Sequence, residues 1–254
     1  MMKYKFALLI WVAAWLSGCS EGAADLSGAD GQSGSITRFT VYNGYMYALN
    51  PNGVLTYSLA DADKPELVNT LPTDYGLETI IIYDNTIYLG SRSALYILGI
   101  DNPAAPVILS QTDREAVFFG GCDPVVVKGQ YAYSTVKIIQ NICGLAAAQS
   151  ALIVYDVSNK NAPVNIGTYF LNLPNGLGYA GNYLFVCDEG DDLLRIYDIS
   201  DPANLKLLDT TVPIQDPVDL IIRGDQMIVS AKTAFQFFDL SDITNIRPLG
   251  NILK

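Results

Sequence analysis

The sequence predicts an all-β protein built from a repeated unit of four strands, and three observations support this fold class. The composition favours strands and turns, because 16 Tyr, 21 Gly and 12 Pro accompany 50% hydrophobic residues while only 16% of the residues are charged. One short pattern, an apolar run followed by a polar turn, recurs at a nearly constant interval along the chain. A second pattern, a two-residue tight turn, precedes every occurrence of the first.

The recurring apolar run is clearest in "ALIVYDVSNKNAPVNIG" and "LLRIYDISDPANLKLLD". Its five occurrences align on Ser58, Gly99, Asp156, Asp198 and Asp239, at intervals of 41, 57, 42 and 41 residues. The period is therefore about 42 residues, with one longer interval that contains an insertion. A group that recurs in most repeats, such as Asp198 with Ser200 and Asp201, indicates a turn of the fold rather than a catalytic cluster.

The second signature is a pair of residues that tolerates positive φ, as tight β-hairpins require. These pairs are Asn43-Gly44, Asp84-Asn85, Gly129-Gln130, Gly181-Asn182 and Gly224-Asp225. Each repeat is thus predicted as strand, hairpin, strand, loop, strand, turn and strand; in the fourth repeat the strands cover 178–180, 183–187, 193–199 and 205–211. Five such units over residues 36–254 predict a β-propeller of five four-stranded antiparallel blades. No strand is left to join the last blade to the first, so closure of the ring would depend on packing of blade faces.

The repeats resemble a known family. An apolar run followed by Asp, an apolar residue, Ser and a nearby Pro is similar to the LVIVD-repeat family of bacterial β-propellers. "LIVYDVSNKNAPV" and "LRIYDISDPANLKLL" match best and "FQFFDLSDITNI" matches fairly, whereas the first two repeats carry Ser58 and Gly99 at the Asp position. The resemblance covers residues 36–254. It implies the propeller fold and supplies no catalytic residues.

The N-terminus indicates export and lipid anchoring. Lys3 and Lys5 precede an apolar run and then "LSGC", which resembles the lipobox of bacterial lipoproteins. Residues 1–18 are therefore predicted to be a signal peptide, and Cys19 is predicted to carry acyl chains such as palmitate. Residues 19–35 would form a flexible tether. Ser20 after the cysteine resembles sorting to the outer membrane; the alternative is an ordinary secretory signal.

Charge and composition exclude several classes of protein. The net charge is −11 and no stripe of Lys and Arg occurs, so binding of nucleic acid by charge is not expected. The chain has no His, which removes the commonest general base and transition-metal ligand. We expect no metal and no cofactor.

Three cysteines remain after Cys19. Cys122 and Cys143, on a blade-connecting loop and in the insertion, are predicted to form a disulfide in an exported protein. Cys187 ends a strand and is expected on the same face. Three buried free thiols are the alternative.

An acidic loop follows Cys187. Asp188, Glu189, Asp191 and Asp192 are expected to form a solvated turn. Calcium, which prefers oxygen ligands, is the alternative occupant, although the spacing is not that of an EF-hand.

Polar and aromatic residues are predicted around the mouth of the central channel. Glu78, Asp123, Asn175 and Asp216 lie at or just before the first strands of four repeats, and Tyr75, Phe118, Phe119 and Tyr179 are placed near the same rim. Paired carboxylates are what glycoside cleavage needs, and aromatic rings could stack on a sugar. For each aromatic residue, packing within the fold is the alternative.

These observations favour a lipid-anchored, cell-envelope β-propeller that binds a protein or glycan partner through its loop-rich face, without catalysis. The alternatives are a surface glycoside-cleaving enzyme that uses the channel-mouth carboxylates and a structural protein of envelope assemblies. Convergent carboxyl groups would favour the enzyme. Exposed apolar patches on the sides of the blades would favour the structural protein.

Overall fold

A computed structural model describes residues 36–92, 94–113, 124–138 and 149–254. The described residues form twenty-one β-strands, and their only helical element is a 3-10 turn at Glu189–Asp191. The strands are β1 (Phe39–Tyr42), β2 (Tyr45–Asn50), β3 (Gly53–Ser58), β4 (Glu66–Pro72), β5 (Leu77–Tyr83), β6 (Thr86–Ser91), β7 (Ala94–Gly99), β8 (Val107–Asp113), β9 (Val125–Lys128), β10 (Tyr131–Val136), β11 (Ala151–Asp156), β12 (Val164–Phe170), β13 (Pro174–Ala180), β14 (Tyr183–Asp188), β15 (Leu193–Asp198), β16 (Lys206–Leu207), β17 (Val212–Pro213), β18 (Pro217–Arg223), β19 (Gln226–Ala231), β20 (Ala234–Asp239) and β21 (Arg247–Leu253).

These strands form five antiparallel sheets, in which consecutive strands pair, except that β17 pairs with β15. Blade 1 contains β1–β4, blade 2 contains β5–β8, blade 3 contains β9–β12, blade 4 contains β13–β17, and blade 5 contains β18–β21. The predicted all-β class and the predicted number of blades are therefore confirmed. Within the described ranges, no helix has the length and hydropathy that crossing a membrane would require.

The outer strand of blade 4 differs from the prediction of one continuous strand over 205–211. Leu207 pairs with Tyr197 and Val212 pairs with Leu194, so the outer chain advances five residues while β15 advances three. The two extra residues interrupt the ladder and divide the strand into β16 and β17. The apolar pattern does not reveal this excess, because both flanking segments remain apolar.

The predicted hairpin turns have the expected backbone. In blades 1 and 2 both central residues adopt positive φ, at 48° and 76° for Asn43 and Gly44. In blades 3 to 5 the glycine adopts it, at 59° for Gly129, and such a glycine at the first central position is typical of a type II′ turn.

The recurring Asp has a structural role, as its repetition predicted. Asp198 Oδ1 accepts a hydrogen bond of 2.9 Å from the backbone N–H of Ser200, and this bond lowers the pKa of the Asp198 carboxyl. Asp156 and Asp239 accept the same bond from Ser158 and Ser241. The carboxylate thus replaces a backbone acceptor at the end of the third strand and fixes the turn to the outer strand.

The core lies between the blades. Each of four hydrophobic clusters combines side chains of two consecutive blades, from the pair of blades 1 and 2 to the pair of blades 4 and 5. In the described part of the chain, no hydrophobic cluster joins blade 5 to blade 1. The N–H of Ile36 donates a hydrogen bond of 3.2 Å to Asp219 Oδ2 of blade 5. Between residues 36 and 254, the described part of the chain therefore shows no face packing of blade 5 on blade 1.

Replacing a side chain at a blade interface should destabilise the fold. Phe185 is fully buried in the cluster between blades 4 and 5, so Phe185→Ala should lower the free energy of unfolding by about 3–5 kcal/mol. Phe170→Ala, at a site that is 63% exposed, is the control and should change it by less than about 0.5 kcal/mol. Urea titration measures both, and equal effects would contradict the assignment of the core.

Candidate functional site

The candidate site lies on the loop-rich face, which we define as the end of the propeller that carries the loops between blades and the loops between second and third strands. β13 runs from Pro174 at this face to the hairpin that follows Ala180 at the opposite end. Asn175 and Asp216 are therefore at the loop-rich face, as predicted. Tyr179 is not: it precedes the hairpin and packs against the core between blades 3 and 4. The prediction of a rim position for Tyr179 is wrong, because Tyr179 lies five residues beyond Pro174 in β13 and therefore at the hairpin end of the strand.

One ionic network joins three blades at this face, and we call it the inter-blade network. Glu189 Oε1 lies 2.6 Å from Lys232 Nζ, and Glu189 Oε2 contacts the ammonium of Lys137 and accepts a 2.8 Å hydrogen bond from Asn175 Nδ2. Lys232 Nζ also donates to Asp216 Oδ1 at 2.9 Å, and Lys137 Nζ donates to Asn175 Oδ1 at 2.9 Å. Side chains of blades 3, 4 and 5 are thus held together by one carboxylate.

The environment of Glu189 strongly favours its ionised form. Burial raises the pKa of the carboxyl, but hydrogen bonds from Lys137, Lys232 and Asn175 outweigh burial and lower the pKa to about 2. A general acid for glycoside cleavage needs the opposite shift, towards neutral pH. Glu189 is therefore suited to hold the blades and not to deliver a proton.

The other carboxylates of the acidic loop are also engaged. Asp188 is fully buried, where Oδ2 accepts from Arg195 Nε at 2.7 Å and Oδ1 accepts from the N–H of Leu173 at 3.0 Å. Asp191 contacts the same guanidinium, and Asp192 Oδ1 accepts from the N–H of Asp216 at 2.7 Å. The expectation of a solvated turn is wrong for Asp188 and Glu189, because Arg195 and two lysines compensate their charges within the fold.

The calcium alternative for Asp188, Glu189, Asp191 and Asp192 stays an untested prediction. Among the described residues, no group of three or more His, Cys, Asp or Glu side chains is arranged to hold a metal ion. The four carboxylates point to different partners, and an ion would compete with Arg195 for two of them.

A second feature of the loop-rich face is a cavity of about 120 Å³, which we call the blade 1–2 cleft. Its lining residues are Arg38, Pro51, Tyr75, Gly76, Leu77, Glu78 and Arg92. Glu78 Oε1 accepts from Arg92 Nε at 2.8 Å, and the Glu78 side chain is only 14% exposed. Tyr75, in contrast, is 70% exposed beside the cleft. Two predicted residues, Glu78 and Tyr75, are thus brought together with two arginines.

Gly76 shapes this cleft. Its φ of +103° is one that side chains rarely allow, and a Cβ at this position would lie 3.4 Å from the aliphatic stem of Arg92. The Gly76 carbonyl also accepts the N–H of Arg92 at 3.1 Å. The loop that carries Tyr75 is therefore fixed against the loop that carries Arg92.

The carboxylates predicted at the channel mouth belong to separate clusters. Glu78 pairs with Arg92 in blade 2, whereas Asp216 pairs with Lys232 in blade 5. Among the described residues, the carboxylates of Glu78 and Asp216 are therefore each paired with a cation of their own blade and do not form a pair of carboxyl groups. Asp123, Phe118 and Phe119 lie outside the described residues, as do Cys19 and the predicted Cys122–Cys143 disulfide.

Cys187 lies near the loop-rich end of β14, but its side chain does not point to the loop-rich face, where it was expected. Its side chain is fully buried in the core between blades 4 and 5, and it is a free thiol. Burial raises the pKa of this thiol, so the reactive thiolate is disfavoured.

The sequence reasoning missed the cations of this face. Arg92, Lys137 and Lys232 each follow the second strand of their blade, four residues after the aligned Tyr88, Tyr133 and Ile228. At the equivalent position blade 1 has Pro51 and blade 4 has Glu189. Alignment of the five repeats at this position would have shown three cations and one carboxylate, with Glu189 between Lys137 and Lys232.

Comparison with known proteins agrees with this architecture. The chain is a β-propeller, and residues 178–211 match the family model described as the LVIVD repeat. The resemblance to LVIVD-repeat propellers is thereby confirmed for blade 4. No curated protein matches the chain.

Solved structures are similar in fold. A protein from Lactobacillus plantarum has a TM-score of 0.67 at 13% identity, with 82% of this chain and 67% of that chain covered. A functionally unknown protein from Desulfotomaculum acetoxidans has a TM-score of 0.68 at 9% identity, with coverages of 85% and 69%. The periplasmic gluconolactonase of Pseudomonas aeruginosa has a TM-score of 0.59 at 14% identity, with coverages of 72% and 56%. This chain spans just over half of the gluconolactonase, and identities this low show the fold alone.

Removal of the central carboxylate should make stability less dependent on pH. The pKa of Glu189 is depressed from 4.5 to about 2 on folding, so its contribution is complete above pH 4.5 and is lost as the pH falls towards 2. Glu189→Gln should lower the free energy of unfolding by about 2 kcal/mol at pH 7, where solvent screens part of the Lys232 contact. The difference from the wild type should shrink between pH 4.5 and 2.

Chemical unfolding at several pH values measures this difference. Asp225→Asn, at an exposed hairpin position outside the network, is the control and should leave the pH profile unchanged. A difference between Glu189→Gln and wild type that is the same at pH 7 and pH 2.5 would contradict the role of the carboxylate.

Proposed function

We propose that the protein is a binding module of the bacterial cell envelope, anchored by acyl chains on Cys19, that recognises a carboxylate-bearing glycan at the blade 1–2 cleft. The observation that carries the proposal is the convergence of Arg38, Arg92 and the exposed Tyr75 on one cavity of the loop-rich face. The coarser statement, a binding or scaffold propeller, agrees with the fold and the LVIVD repeat.

Charge supports an anionic ligand. The chain has a net charge of −11 and six arginines, two of which line this small cleft. Among the described lining residues, Glu78 is the one carboxylate beside two arginines, so the described lining carries a positive excess. A planar guanidinium matches a carboxylate in shape and in hydrogen-bond donors.

The shape of the cleft supports a sugar. Tyr75 presents an aromatic ring to solvent, and the flat face of such a ring can pack against the C–H face of a pyranose. A volume of about 120 Å³ accommodates part of one sugar unit, so a longer chain would extend across the loop-rich face. We infer recognition of a single acidic unit within a longer glycan.

Binding is better supported than cleavage by the described residues. A glycoside-cleaving site needs two carboxyl groups on either side of the bond, one with a raised pKa. Glu78 is committed to Arg92, Asp216 to Lys232, and the pKa of Glu189 is lowered. The similarity to a gluconolactonase is a similarity of fold, and it assigns no catalytic role to Glu78, Asp216 or Glu189.

Calorimetric titration with a galacturonic acid trimer tests the glycan proposal. The trimer should bind, and its neutral galactose counterpart should bind at least tenfold more weakly, because charge-assisted hydrogen bonds contribute about 1.5–3 kcal/mol each. Arg38→Gln should weaken binding of the acidic trimer by about tenfold or more. Arg223→Gln, an exposed arginine on blade 5, is the matched control and should change the affinity less than twofold. Equal affinity for both trimers, or equal effects of both variants, would overturn the proposal.

Metabolic labelling with a radioactive fatty acid tests the anchor. The wild type should carry the label and sediment with membranes, and Cys19→Ala should lose both properties, because Cys19 is the predicted acceptor. Cys187→Ala, which alters a buried thiol, is the control and should keep the label. Label that persists on Cys19→Ala would refute lipidation at this residue.

A further inference from the structure

Tyr75 lies in the connection from blade 1 to blade 2, between two backbone anchors. The N–H of Thr73 donates to the Asn52 carbonyl of blade 1 at 3.0 Å, and the N–H of Arg92 donates to the Gly76 carbonyl at 3.1 Å. These two bonds fix the connection on either side of the exposed ring. Neither of them involves Tyr75 itself, so the position of the ring depends on what else holds the connection.

The Asp74 side chain supplies a third anchor, because two strands of blade 2 donate hydrogen bonds to it. Asp74 Oδ2 accepts from the hydroxyl of Tyr96 at 3.2 Å and from Nε2 of Gln111 at 2.8 Å. Tyr96 of β7 and Gln111 of β8 are direct partners in the antiparallel register, so both side chains leave the sheet on the same side. That side faces blade 1, because Tyr96 belongs to the hydrophobic cluster between blades 1 and 2. The connection is thus held by the blade that it enters.

Both donors to Asp74 are themselves held in place. Tyr96 is fully buried, and burial raises the pKa of its phenol to about 12, so the hydroxyl keeps its proton at neutral pH and can donate. Gln111 Nε2 also donates to Asp113 Oδ1 at 3.1 Å on the same strand, which orients the carboxamide. A buried hydroxyl that loses its acceptor is not compensated for its desolvation, so Tyr96 favours the conformation of the connection that brings the Asp74 carboxylate to it.

We propose that Asp74 is a positioning residue of the blade 1–2 cleft, which holds the Tyr75 ring beside the cleft for contact with a sugar. The identity of the ligand rests on the proposed function, whereas the anchoring of the ring requires no ligand. Tyr75 follows Asp74 directly in the chain and is 70% exposed, so packing contributes little to keeping its ring in place. A ring that is fixed before binding loses less conformational entropy when the ligand arrives.

The charge of Asp74 makes its role as an anchor separable from a direct electrostatic role. A carboxylate beside a cleft that binds an anion repels the ligand, so its removal should strengthen binding if charge alone matters. Removal of an anchor should weaken binding instead. Asp74→Ala and Asp74→Asn remove the same charge, but only the amide keeps an acceptor oxygen for the Tyr96 hydroxyl. The two variants therefore differ in the anchor and not in charge.

Time-resolved fluorescence anisotropy of the full chain in mild detergent, without ligand, tests the anchor itself. Trp11 and Trp15 are the two tryptophans of the sequence, so Tyr75→Trp combined with Trp11→Phe and Trp15→Phe places a single reporter indole at position 75. The residual anisotropy reports how strongly the motion of the indole is restricted on the nanosecond timescale. Asp74→Ala should lower the residual anisotropy, whereas Asp74→Asn should leave it close to that of the parent.

Tyr96→Phe and Tyr47→Phe form a second matched pair of variants in the same reporter chain. Each removes one hydroxyl from the cluster between blades 1 and 2, but the Tyr47 hydroxyl donates to the Pro103 carbonyl at 2.8 Å, in the turn at the hairpin end. Tyr96→Phe should lower the anisotropy of the indole, and Tyr47→Phe should leave it unchanged. A general loss of stability would affect both variants alike, so equal anisotropy in the two would contradict the anchor.

Calorimetric titration with the galacturonic acid trimer, on variants that keep Tyr75, tests whether the anchor matters for binding. The trimer should bind Asp74→Ala about two- to tenfold more weakly than Asp74→Asn, as expected when one side chain must be ordered on binding. Equal affinity of these two variants, or equal anisotropy of their reporter indole, would overturn the proposal. If the trimer binds neither the wild type nor any variant while the anisotropy follows the expected order, the proposed function fails and the positioning of the ring stands.

Discussion

The structure depends on the packing of sheets face to face, since blades 2, 3 and 4 carry apolar side chains on both faces and bury them against the neighbouring blades. The described core consists of four interfaces of this kind, and burial of apolar surface is the main favourable contribution to folding. Because the blade faces are used for packing, the charged side chains of the candidate site lie in the loops of the loop-rich face or on the strand residues beside them.

Polar side chains have different roles at the two ends of the propeller. At the hairpin end, the recurring Asp side chains accept backbone N–H groups and shape the turns, as Asp198 does with Ser200. At the loop-rich end, a single repeat position carries Pro51, Arg92, Lys137, Glu189 and Lys232 in blades 1 to 5. Repetition therefore serves the fold at one end, whereas variation at a shared position creates different local electrostatics at the other.

The sequence was sufficient for the repeated features and insufficient for the pairings between repeats. Period and turn residues located the blades and the hairpins, because each repeat carries its own signal. The division of the outer strand of blade 4 was missed, since it arises from a mismatch of two residues between Leu207 and Val212 that leaves the apolar pattern intact.

The candidate site shows the same limit. Glu78, Asn175 and Asp216 were placed at the loop-rich face from their position in the repeat, but their partners come from elsewhere in the blade or from neighbouring blades. Asp188 and Asp192 look alike in the sequence. The strand register brings Arg195 to Asp188, so Asp188 becomes a buried ion-pair partner. Asp192 instead accepts the backbone N–H of Asp216.

The contrast between the inter-blade network and the blade 1–2 cleft follows from the residues at that shared repeat position. In blades 3 to 5, lysine, glutamate and lysine alternate, so each cation meets the carboxylate of a neighbouring blade and the network is internally compensated. In blade 1 the position is Pro51, which carries no charge, and Arg92 of blade 2 meets Glu78 of its own blade instead. Arg38 then adds a second cation to the same wall without adding a carboxylate. Among the described residues of the loop-rich face, Lys137, Glu189 and Lys232 are therefore paired with one another, whereas the described lining of the blade 1–2 cleft holds two arginines and one glutamate.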